Sequence, residues 1–579
     1  MYKKNRKFAI FIAMILLSSI TAVSIGTNFH NSSDVSQHLS NYDKTLLKTS
    51  ATFTEIEIDA LDTTNTTNSG NWTWAIATGL CTGSGTSSSP YVIANHIFES
   101  SGPGDCLRIR NSRVHFRIKD STFRDSGNLD TGLYIYNTTN GEVTDCDAYD
   151  NFRGFELVNV NDTELEGNHI YSNSYGMYLS DSRFNTISNN NVSANTNQGI
   201  FLTISMSNTI SNNIANDNQN FDGIVLSTES NYNDLIGNTA NGNGENGIYL
   251  DDSHLNTISN NEANDNTQAG IIMLSSTRND ILSNTAIGND FGIIYDSISD
   301  YNIISKNTVN SNDVMGIIGA NSNTNSIIQN TANHNNVGGI YVYFCDDSII
   351  SDNSIYNNSN YGIYMEDVVN MTCTANTVYE SKMWGIYLRN GDESIIENNY
   401  AHHNAFYGIL LDGGSQVNVI ESNIARNNNL SGIRIFSSTN NLLINNIASD
   451  NEEHGILIES SNGVLLTGNT ANSNEKNGIH LLNSNSNTII SNTANNNKNG
   501  TFLDSSNNNK VIDNTFVGND DCYNETGSTG NFFEDNICTS VGGGLGIDLS
   551  TVLLIVSIIE GVALAAIVTA FFLKRKRKS

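Results

Sequence analysis

The chain has 579 residues, with 59 acidic against 28 basic side chains and a formal net charge of −31 at pH 7. A chain this acidic is repelled by nucleic acid and by anionic lipid, so neither is expected as its main partner. The charge instead favours cations, neutral glycans or basic partners.

The first 25 residues predict a secretory signal peptide. A basic segment (3–7) precedes an apolar run (8–17), and Ala22 and Ser24 offer a small-residue cleavage site. An uncleaved signal anchor is the alternative interpretation of the same pattern.

A period of about 23 residues runs through most of the chain. A glycine column marks it, and each glycine begins a short apolar stretch such as Gly247-Ile-Tyr-Leu. A fixed period of this size indicates a repeat architecture in which each unit packs on its neighbours. Asparagine keeps the same period at Asn190, Asn213, Asn238, Asn261, Asn284, Asn307, Asn330, Asn353, Asn376, Asn399, Asn423, Asn446, Asn469 and Asn492.

One repeat predicts the fold. Ile248 and Leu250 alternate with Tyr249 and Asp251, which is typical of a half-buried strand. Such short strands bury too little alone, but they can stack on the equivalent strands of the next coil. We therefore predict an all-β chain whose main domain is a parallel β-helix (a solenoid) of about 17 coils over residues 106–540.

The sequence also predicts the segments that precede the solenoid and the role of the asparagine column. Residues 26–70 are expected to form a polar linker, and residues 71–105 the cap and entry to the solenoid. The asparagine column predicts a ladder, because an Asn amide can bond to the same amide one coil away. Asn also tolerates the left-handed conformation that a tight turn requires.

The chain resembles right-handed parallel β-helix proteins of the pectate-lyase-like superfamily, and in particular the NosD-like group. The resemblance rests on the repeated Asn-Thr-Ile-Ser-Asn-Asn (256–261) and Gly-Ile-Tyr-Leu (247–250) units, and it covers residues 105 to 540. Residues 83–93 are similar to the entry of the first coil in such proteins. The resemblance implies a right-handed helix, but one scaffold hosts many activities.

The end of the chain predicts membrane anchoring. Residues 541–549 are a glycine-rich stalk, 550–573 form an apolar stretch long enough for a transmembrane helix, and 574–579 are a basic tail. The positive-inside rule places that tail in the cytoplasm. We expect a single-pass protein of the cell membrane with an extracellular solenoid.

Seven cysteines in a secreted chain suggest disulfide bonds. Cys81 and Cys106 flank the entry region, and Cys522 and Cys538 flank the last coil. Each pair would fasten an open end of the solenoid, where strand edges are exposed. We expect a Cys81–Cys106 and a Cys522–Cys538 bridge.

The candidate ligand-binding residues lie two and four places after the repeat glycines, on one outward face. Stacked tyrosines beside charged side chains suit a sugar chain, since rings pack on pyranose faces while charges bind hydroxyls. Tyrosines on exposed strands and a ladder of ion pairs give an equally simple structural interpretation. The candidates are Tyr341, Tyr343, Tyr364, Tyr387, Glu366, Arg389 and Asp412.

The alternative to a binding surface is an enzyme, and its catalytic residues would be Glu366, Arg389 and Asp412. Lyases of the resembled superfamily use clustered aspartates to hold calcium and a basic residue as base. This chain has no compact acidic triad of that kind. We expect that the protein requires no cofactor. Calcium is the ion that its acidic charge would favour.

A metal site is the third hypothesis, prompted by the NosD-like resemblance and its copper-accessory role. His334, Asn357, Glu380 and His403 each lie five residues before a repeat glycine on consecutive coils. Glu380 and His403 are the weak candidate ligands, but the two histidines lie too far apart to share an ion. We expect no metal, and the favoured function is a membrane-anchored glycan-binding, adhesive or cell-envelope structural protein. A cell-surface polysaccharide lyase or glycoside hydrolase is the runner-up.

Overall fold

The computed structural model describes residues 51–100 and 102–540, which form one parallel β-solenoid of about 19 turns. Each complete coil runs through three strand positions that stack into three parallel sheets. Sheet 1 contains the strands that follow the repeat glycines, sheet 2 the Asn-Thr-Ile-Ser strands, and sheet 3 the short strands before the next glycine.

Sheet 1 contains Ile56–Asp59, Ser69–Gly70, Leu107–Arg110, Thr131–Thr139, Arg153–Asn161, Tyr175–Ser180, Ile200–Thr203, Ile224–Ser227, Ile248–Asp251, Ala269–Leu274, Phe291–Asp296, Met315–Ala320, Gly338–Tyr343, Tyr361–Glu366, Trp384–Arg389, Ile409–Asp412, Ile433–Phe436, Ile456–Glu459, Asn477–Leu482, Asn499–Asp504 and Asp521–Thr526.

Sheet 2 contains Tyr91–Ala94, Phe116–Lys119, Gly141–Thr144, Glu164–Glu166, Thr186–Ser188, Thr209–Ser211, Asp234–Ile236, Thr257–Ser259, Asp280–Leu282, Ile303–Ser305, Ser326–Ile328, Ile349–Ser351, Thr372–Thr374, Ile395–Glu397, Val419–Glu421, Leu442–Ile444, Leu465–Thr467, Thr488–Ile490, Lys510–Ile512 and Phe532–Glu534.

Sheet 3 is interrupted. Single bridges such as Thr239–Glu262 replace its strands in many coils. Its strands are Ala51–Thr54, His96–Glu99, Thr122–Arg124, Asp147–Tyr149, His169–Tyr171, Ser354–Tyr356, Thr377–Tyr379, Tyr400–His402, Ile424–Arg426, Thr515–Asn519 and Ile537–Ser540.

The core is a column of aliphatic side chains along the solenoid axis. In one coil, Ile248 and Leu250 from sheet 1, Ile258 from sheet 2 and Ala263 from the third side are fully buried. The repeat glycines are needed for close approach of successive coils. A Cβ on Gly316 would lie 2.6 Å from the carbonyl oxygen of Gly339, a distance that no real side chain tolerates.

The asparagine column forms a continuous ladder inside the turn between sheets 2 and 3. The Asn261 backbone N–H and Nδ2 both donate to Asn284 Oδ1, at 2.9 and 3.0 Å. Asn261 Nδ2 also donates to the Leu235 carbonyl oxygen at 2.9 Å. The left-handed conformation belongs to the preceding residue, Asn260 (φ 55°), and not to the ladder residue as the sequence analysis expected. The ladder residue must direct its own backbone N–H along the solenoid axis, because that N–H donates to the asparagine of the next coil.

Three further polar columns were not foreseen. Asn256 and Asn266 belong to ladders of the same kind, with Nδ2–Oδ1 distances to the next coil of 3.1 Å each. Ser253 belongs to a fourth column, in which a backbone N–H donates to the serine hydroxyl one coil on, as that of Ser253 does to Ser276. The signal was a run of asparagines five residues apart within each repeat.

The solenoid begins earlier than expected. Strands Ala51–Thr54 and Ile56–Asp59 lie inside the segment expected to be a polar linker. The one helix of the described residues, Trp72–Ala77, covers the N-terminal end of the core. Its Trp72 ring stacks on Tyr91 with ring centroids 4.7 Å apart, so the aromatic side chains close that end.

A disulfide bond was expected at each end of the solenoid. Cys522 and Cys538, the pair expected at the C-terminal end, are joined by a disulfide bond. The expected Cys81–Cys106 bridge is wrong, because both are free and buried. Cys106 Sγ points into the coil, where it contacts the Arg124 carbonyl oxygen at 3.2 Å. Burial raises the pKa of each thiol to about 12, so neither is reactive.

The expected signal peptide (1–25), stalk (541–549), transmembrane helix (550–573) and tail (574–579) lie outside the described residues. Between residues 51 and 540, the described part contains no helix long and apolar enough to cross a membrane.

The ladder predicts a specific stability effect. Asn330→Ala removes the partner of the Asn307 N–H and amide and frees the Ile304 carbonyl oxygen, all of them buried. We expect it to lower the free energy of unfolding by about 3 kcal/mol, because buried unsatisfied groups are costly. Asn336→Ala, at an exposed position of the same coil, should cost less than about 0.5 kcal/mol. Urea denaturation checks both, and equal effects would contradict the ladder's role.

Candidate functional site

The candidate residues lie on the outer face of sheet 1. Side chains two and four places after each glycine alternate with the buried aliphatic residues and so point outwards. Register pairs Tyr341 with Tyr364 and Tyr364 with Tyr387, one coil apart. The next outward position pairs Glu366 with Arg389. The structure therefore brings these candidates together in two neighbouring columns.

Tyr341, Tyr364 and Tyr387 form a continuous stack, named here the tyrosine stack. The Tyr341 and Tyr364 ring centroids are 4.9 Å apart, and those of Tyr364 and Tyr387 4.6 Å with an interplanar angle of 5°. Tyr341 is only 6% exposed and Tyr387 7%. The rings cover one another's faces, so the stack presents edges to solvent and not the open faces that the sequence analysis assumed.

The charged side chains are tied to the tyrosine stack. Tyr341 OH donates to Glu366 Oε2 at 2.7 Å, and Tyr387 OH donates to Asp412 Oδ2 at 3.2 Å. Arg389 Nη1 donates to Glu366 Oε1 at 3.2 Å, with the Arg389 side chain half exposed. Burial raises the pKa of the Tyr341 phenol, and the Glu366 carboxylate adds to the shift. The phenols therefore stay protonated and hold the carboxylates in place.

The last predicted tyrosine, Tyr343, lies at the margin of this surface. Its ring stacks on Tyr341 at 6.3 Å and lies 4.0 Å from the ring of Phe344, which is 47% exposed. Tyr343 is partly buried, so it extends the tyrosine stack sideways towards solvent.

Aromatic residues one or two places before the repeat glycines were missed by the sequence analysis. Tyr361 lies 5.1 Å from Tyr364, and Trp384 lies 4.9 Å from Tyr387. Trp384 also contacts Phe406 at 6.3 Å. Trp384 is partly exposed and Phe406 is 37% exposed. The signal for Tyr361 and Trp384 was an aromatic residue directly before the repeat glycine in three consecutive coils (361, 384 and 407), whereas Phe406 lies two places before Gly408. The tyrosine stack with Tyr361, Trp384 and Phe406 is called the aromatic band.

A second aromatic stack lies on sheet 3 of the same coils. The rings of Tyr356, Tyr379 and His402 follow one another at 4.9 and 5.0 Å. His402 Nδ1 lies 2.7 Å from His403 Nδ1, and burial lowers the pKa of His402 to about 4. Sheet 3 has full strands in these coils, which is what aligns the three rings.

The weak metal candidates do not assemble into a site. Glu380 and His403 both occupy left-handed turn positions beside that second stack. Among the described residues, no group of three or more His, Cys, Asp or Glu side chains could hold a metal ion.

One buried carboxyl also lies before a repeat glycine, nearer the N-terminus. Asp222 is 3% exposed, and its Oδ1 accepts from the Asn246 backbone N–H and Nδ2 at 3.1 and 2.8 Å. Burial raises the pKa of Asp222 to about 7, because two hydrogen bonds only partly replace the lost hydration.

This carboxyl predicts a pH dependence of stability. Its pKa rises from 3.8 in the unfolded chain to about 7 in the folded protein, so ionisation opposes folding and stability is lost between those values as the pH rises. Asp222→Asn keeps the accepting oxygen and should stabilise the protein by on the order of 4 kcal/mol at pH 8. The gain should disappear near pH 4. Denaturation of both proteins from pH 4 to 8 checks this, and a pH-independent difference would contradict it.

Comparison with known proteins agrees with the fold. Residues 63–246 and 114–297 match the family model described as periplasmic copper-binding protein (NosD). Residues 316–461 and 413–538 match the right handed beta helix region. Neither family model spans half of the chain, and none of the curated proteins matches it. The resemblance to right-handed parallel β-helix repeat proteins is confirmed, and the chain is a protein of that class.

Solved structures to which this chain is similar include two epimerases and DFA-IIIase. A mutant of the periplasmic alginate epimerase AlgG is 15% identical, with 53% of this chain and 78% of that chain covered and a TM-score of 0.27. DFA-IIIase from Arthrobacter chlorophenolicus A6 is 14% identical, with 50% and 83% covered and a TM-score of 0.31. The mannuronan C-5 epimerase AlgE6 A-module of Azotobacter vinelandii is 12% identical, with 72% and 91% covered and a TM-score of 0.27. Likeness at this level carries no argument about this chain.

Proposed function

We propose that the aromatic band binds a neutral polysaccharide. The observation that carries this proposal is the accessible ring surface of Phe406 and Trp384, the latter in contact with Tyr387 of the tyrosine stack. On the other side of the tyrosine stack, the charges of Glu366, Arg389 and Asp412 are held at the far ends of the same strands. Apolar ring surface with a few fixed polar groups is the combination that sugar rings need.

The tyrosine stack serves as a rigid support in this proposal. Its ring faces are covered, so the sugar would pack on Trp384 and Phe406 and on the tyrosine edges. Arg389 has five N–H donors, and the Glu366 carboxylate and the Tyr364 hydroxyl accept hydrogen bonds from this side chain. The remaining donors of this half-exposed side chain are available to sugar hydroxyls.

Charge favours a neutral ligand. The chain carries a net charge of −31, and a polyanionic glycan would be repelled at low ionic strength. An acidic glycan would need a bridging cation such as calcium, which makes calcium dependence a discriminating observation.

The enzymatic alternative has less support from the geometry. Glu366 is bound by both Tyr341 and Arg389, and Asp412 Oδ2 accepts from Tyr387. A retaining or inverting glycosidase needs one carboxylate free to act as a nucleophile or base beside a protonated acid. Ties to neighbouring side chains fit a binding surface better.

The binding proposal predicts the effect of two substitutions. Trp384→Ala/Phe406→Ala should weaken binding of the full-length protein to a neutral polysaccharide about tenfold or more, because buried aromatic area is lost. Tyr178→Ala/Phe201→Ala is the matched control, since those rings stack at 5.3 Å on the same face of sheet 1, outside the aromatic band. Glycan arrays and affinity electrophoresis, with and without calcium, measure both.

Three outcomes would contradict the proposal. Equal loss of polysaccharide binding in the test and control variants would mean that the polysaccharide does not bind at the aromatic band. No binding to any glycan would leave a structural role. Release of unsaturated or reducing ends from the polysaccharide would establish an enzyme instead.

We also propose that the solenoid is displayed outside the cell on a membrane anchor. Support comes from the sequence alone, from the apolar segment 550–573 and the basic residues after it. A variant that ends at residue 549 should appear in the medium, and protease added to intact cells should cleave the full-length protein. Retention of the shortened variant in the cell would contradict the anchor.

A further inference from the structure

The outer face of sheet 1 becomes polar towards the C-terminal end of the solenoid. His454, Asn477 and Asn499 precede successive repeat glycines, and His480 lies two places after one. Their exposed fractions are 7%, 5%, 5% and 8%. Four uncharged polar side chains are thus more than nine-tenths buried on a face that is mostly apolar or aromatic elsewhere.

The direction of the hydrogen bonds among these side chains can be assigned. The Asn477 backbone N–H can only donate, and it lies 3.3 Å from His454 Nδ1, so that nitrogen is an acceptor. Burial lowers the pKa of His454 to about 3, which leaves the ring neutral with its proton on Nε2. His454 Nε2 lies 3.3 Å from His480 Nδ1 and therefore donates to it.

The same direction holds on both sides of this pair. His480 accepts at Nδ1, and burial lowers the pKa of His480 to about 4, so its proton lies on Nε2. On the other side, Asn499 Nδ2 donates to Asn477 Oδ1 at 2.6 Å. The network therefore runs from Asn499 through Asn477 and His454 to His480, with every bond pointing the same way.

Both ends of the network are open. His480 Nε2 and Asn499 Oδ1 are buried atoms without a hydrogen-bond partner among the described residues. One end offers a donor and the other an acceptor. Buried groups of this kind are costly and mark the place of a bound polar group.

The two open ends lie on adjacent coils at positions that meet elsewhere on this face. His480 lies two places after its glycine, and Asn499 precedes the next glycine. Tyr341 and Tyr361 occupy the same two positions, and their ring centroids are 6.2 Å apart. That separation accommodates one oxygen atom between the smaller His and Asn side chains.

We propose that His480 and Asn499 bind one hydroxyl group of a neutral polyol or sugar. A hydroxyl oxygen accepts from His480 Nε2–H while its proton is donated to Asn499 Oδ1, and this closes the network into a ring. The Phe502 ring stacks on His480 at 5.0 Å and supplies apolar surface for the carbon that bears the hydroxyl.

Charged ligands fit this site poorly. An anion would meet the carbonyl oxygen of Asn499, and a cation would meet the N–H of His480. Of the charges near His480, Glu459 is paired with Arg434 at 2.6 Å and Lys476 with Glu453. Asp504 also acts on His480, and its negative charge opposes an anion at this site. A group that both donates and accepts is the one that satisfies both open ends, and water is the competing source of such a group.

The test is a titration of the ¹⁵N-histidine-labelled full-length protein, observed by NMR. Both His454 and His480 should be neutral and protonated on Nε2. Glycerol and, separately, cellotriose should shift the His480 Nε2 resonance with a saturating dependence on concentration. Protonation of His480 on Nδ1, or no shift with either compound, would overturn the proposal, the latter because water alone closes the network.

Two variants remove the open ends separately. Asn499→Ala and His480→Phe should each weaken polyol binding roughly 3- to 10-fold, the effect of one lost hydrogen bond. His480→Phe preserves ring stacking on Phe502, and binding to it is followed on the resonance of the neighbouring His454 Nε2, so it keeps the test meaningful if Asn499→Ala folds poorly. Binding unchanged in a folded variant would overturn the proposal.

Trp384→Ala is the control that separates the two sites, since it lies four coils away. It should leave polyol binding at His480 unchanged, and this site would stand even if the aromatic band bound no glycan. Loss of the His480 shift in Trp384→Ala would overturn the assignment of an independent site.

Discussion

Amide hydrogen bonding along the solenoid axis is the constraint on which this structure depends. Each ladder asparagine accepts two bonds at its oxygen from the coil before and donates to the coil after, so buried turns have satisfied polar groups. The ladders continue across coils of 22 to 25 residues, as between Asn168 and Asn190 and between Asn213 and Asn238, so differences in coil length lie outside the ladder positions. The ladders therefore keep successive coils in register although the coil length varies.

Register then determines what the outer surface can display. A residue two places after the glycine lies beside its equivalent in the next coil, with centroids under 5 Å apart for Tyr341, Tyr364 and Tyr387. Substitution at these positions leaves the aliphatic core and the ladders unchanged. The positions one place before and two places after the repeat glycine therefore hold isoleucine at Ile294, aromatic rings in the band, and a hydrogen-bonded network at His454 and His480. One scaffold can thus carry distinct surfaces along a single face.

Most of the fold could be predicted from the sequence because it depends on periodicity, which a single chain displays. The in-register tyrosines and the ladder at Asn261 followed from counting residues. The beginning at Ala51 could not be predicted, since the first strands lack the repeat glycine and asparagine. The Cys81–Cys106 expectation failed because proximity in sequence does not fix where a sulfur points, and Cys106 faces the coil interior.

The candidate site was harder to predict for a related reason. Spacing placed Tyr364 and Arg389 on one face, but exposure depends on how side chains cover one another. Trp384 was overlooked because the strand was taken to begin at the glycine that follows it. The direction of the network at His480 depends on which ring nitrogens meet a backbone N–H, and only the structure shows this.

Hydroxyl-radical footprinting of the full-length protein, with and without a neutral polysaccharide that it retains, tests the central claim most directly. The account predicts that the polysaccharide lowers oxidation of Trp384 and Phe406, while Phe184, a 62% exposed residue far along the solenoid, is oxidised as before. Equal protection of Phe184, or no protection of Trp384 and Phe406, would contradict the placement of binding in the aromatic band.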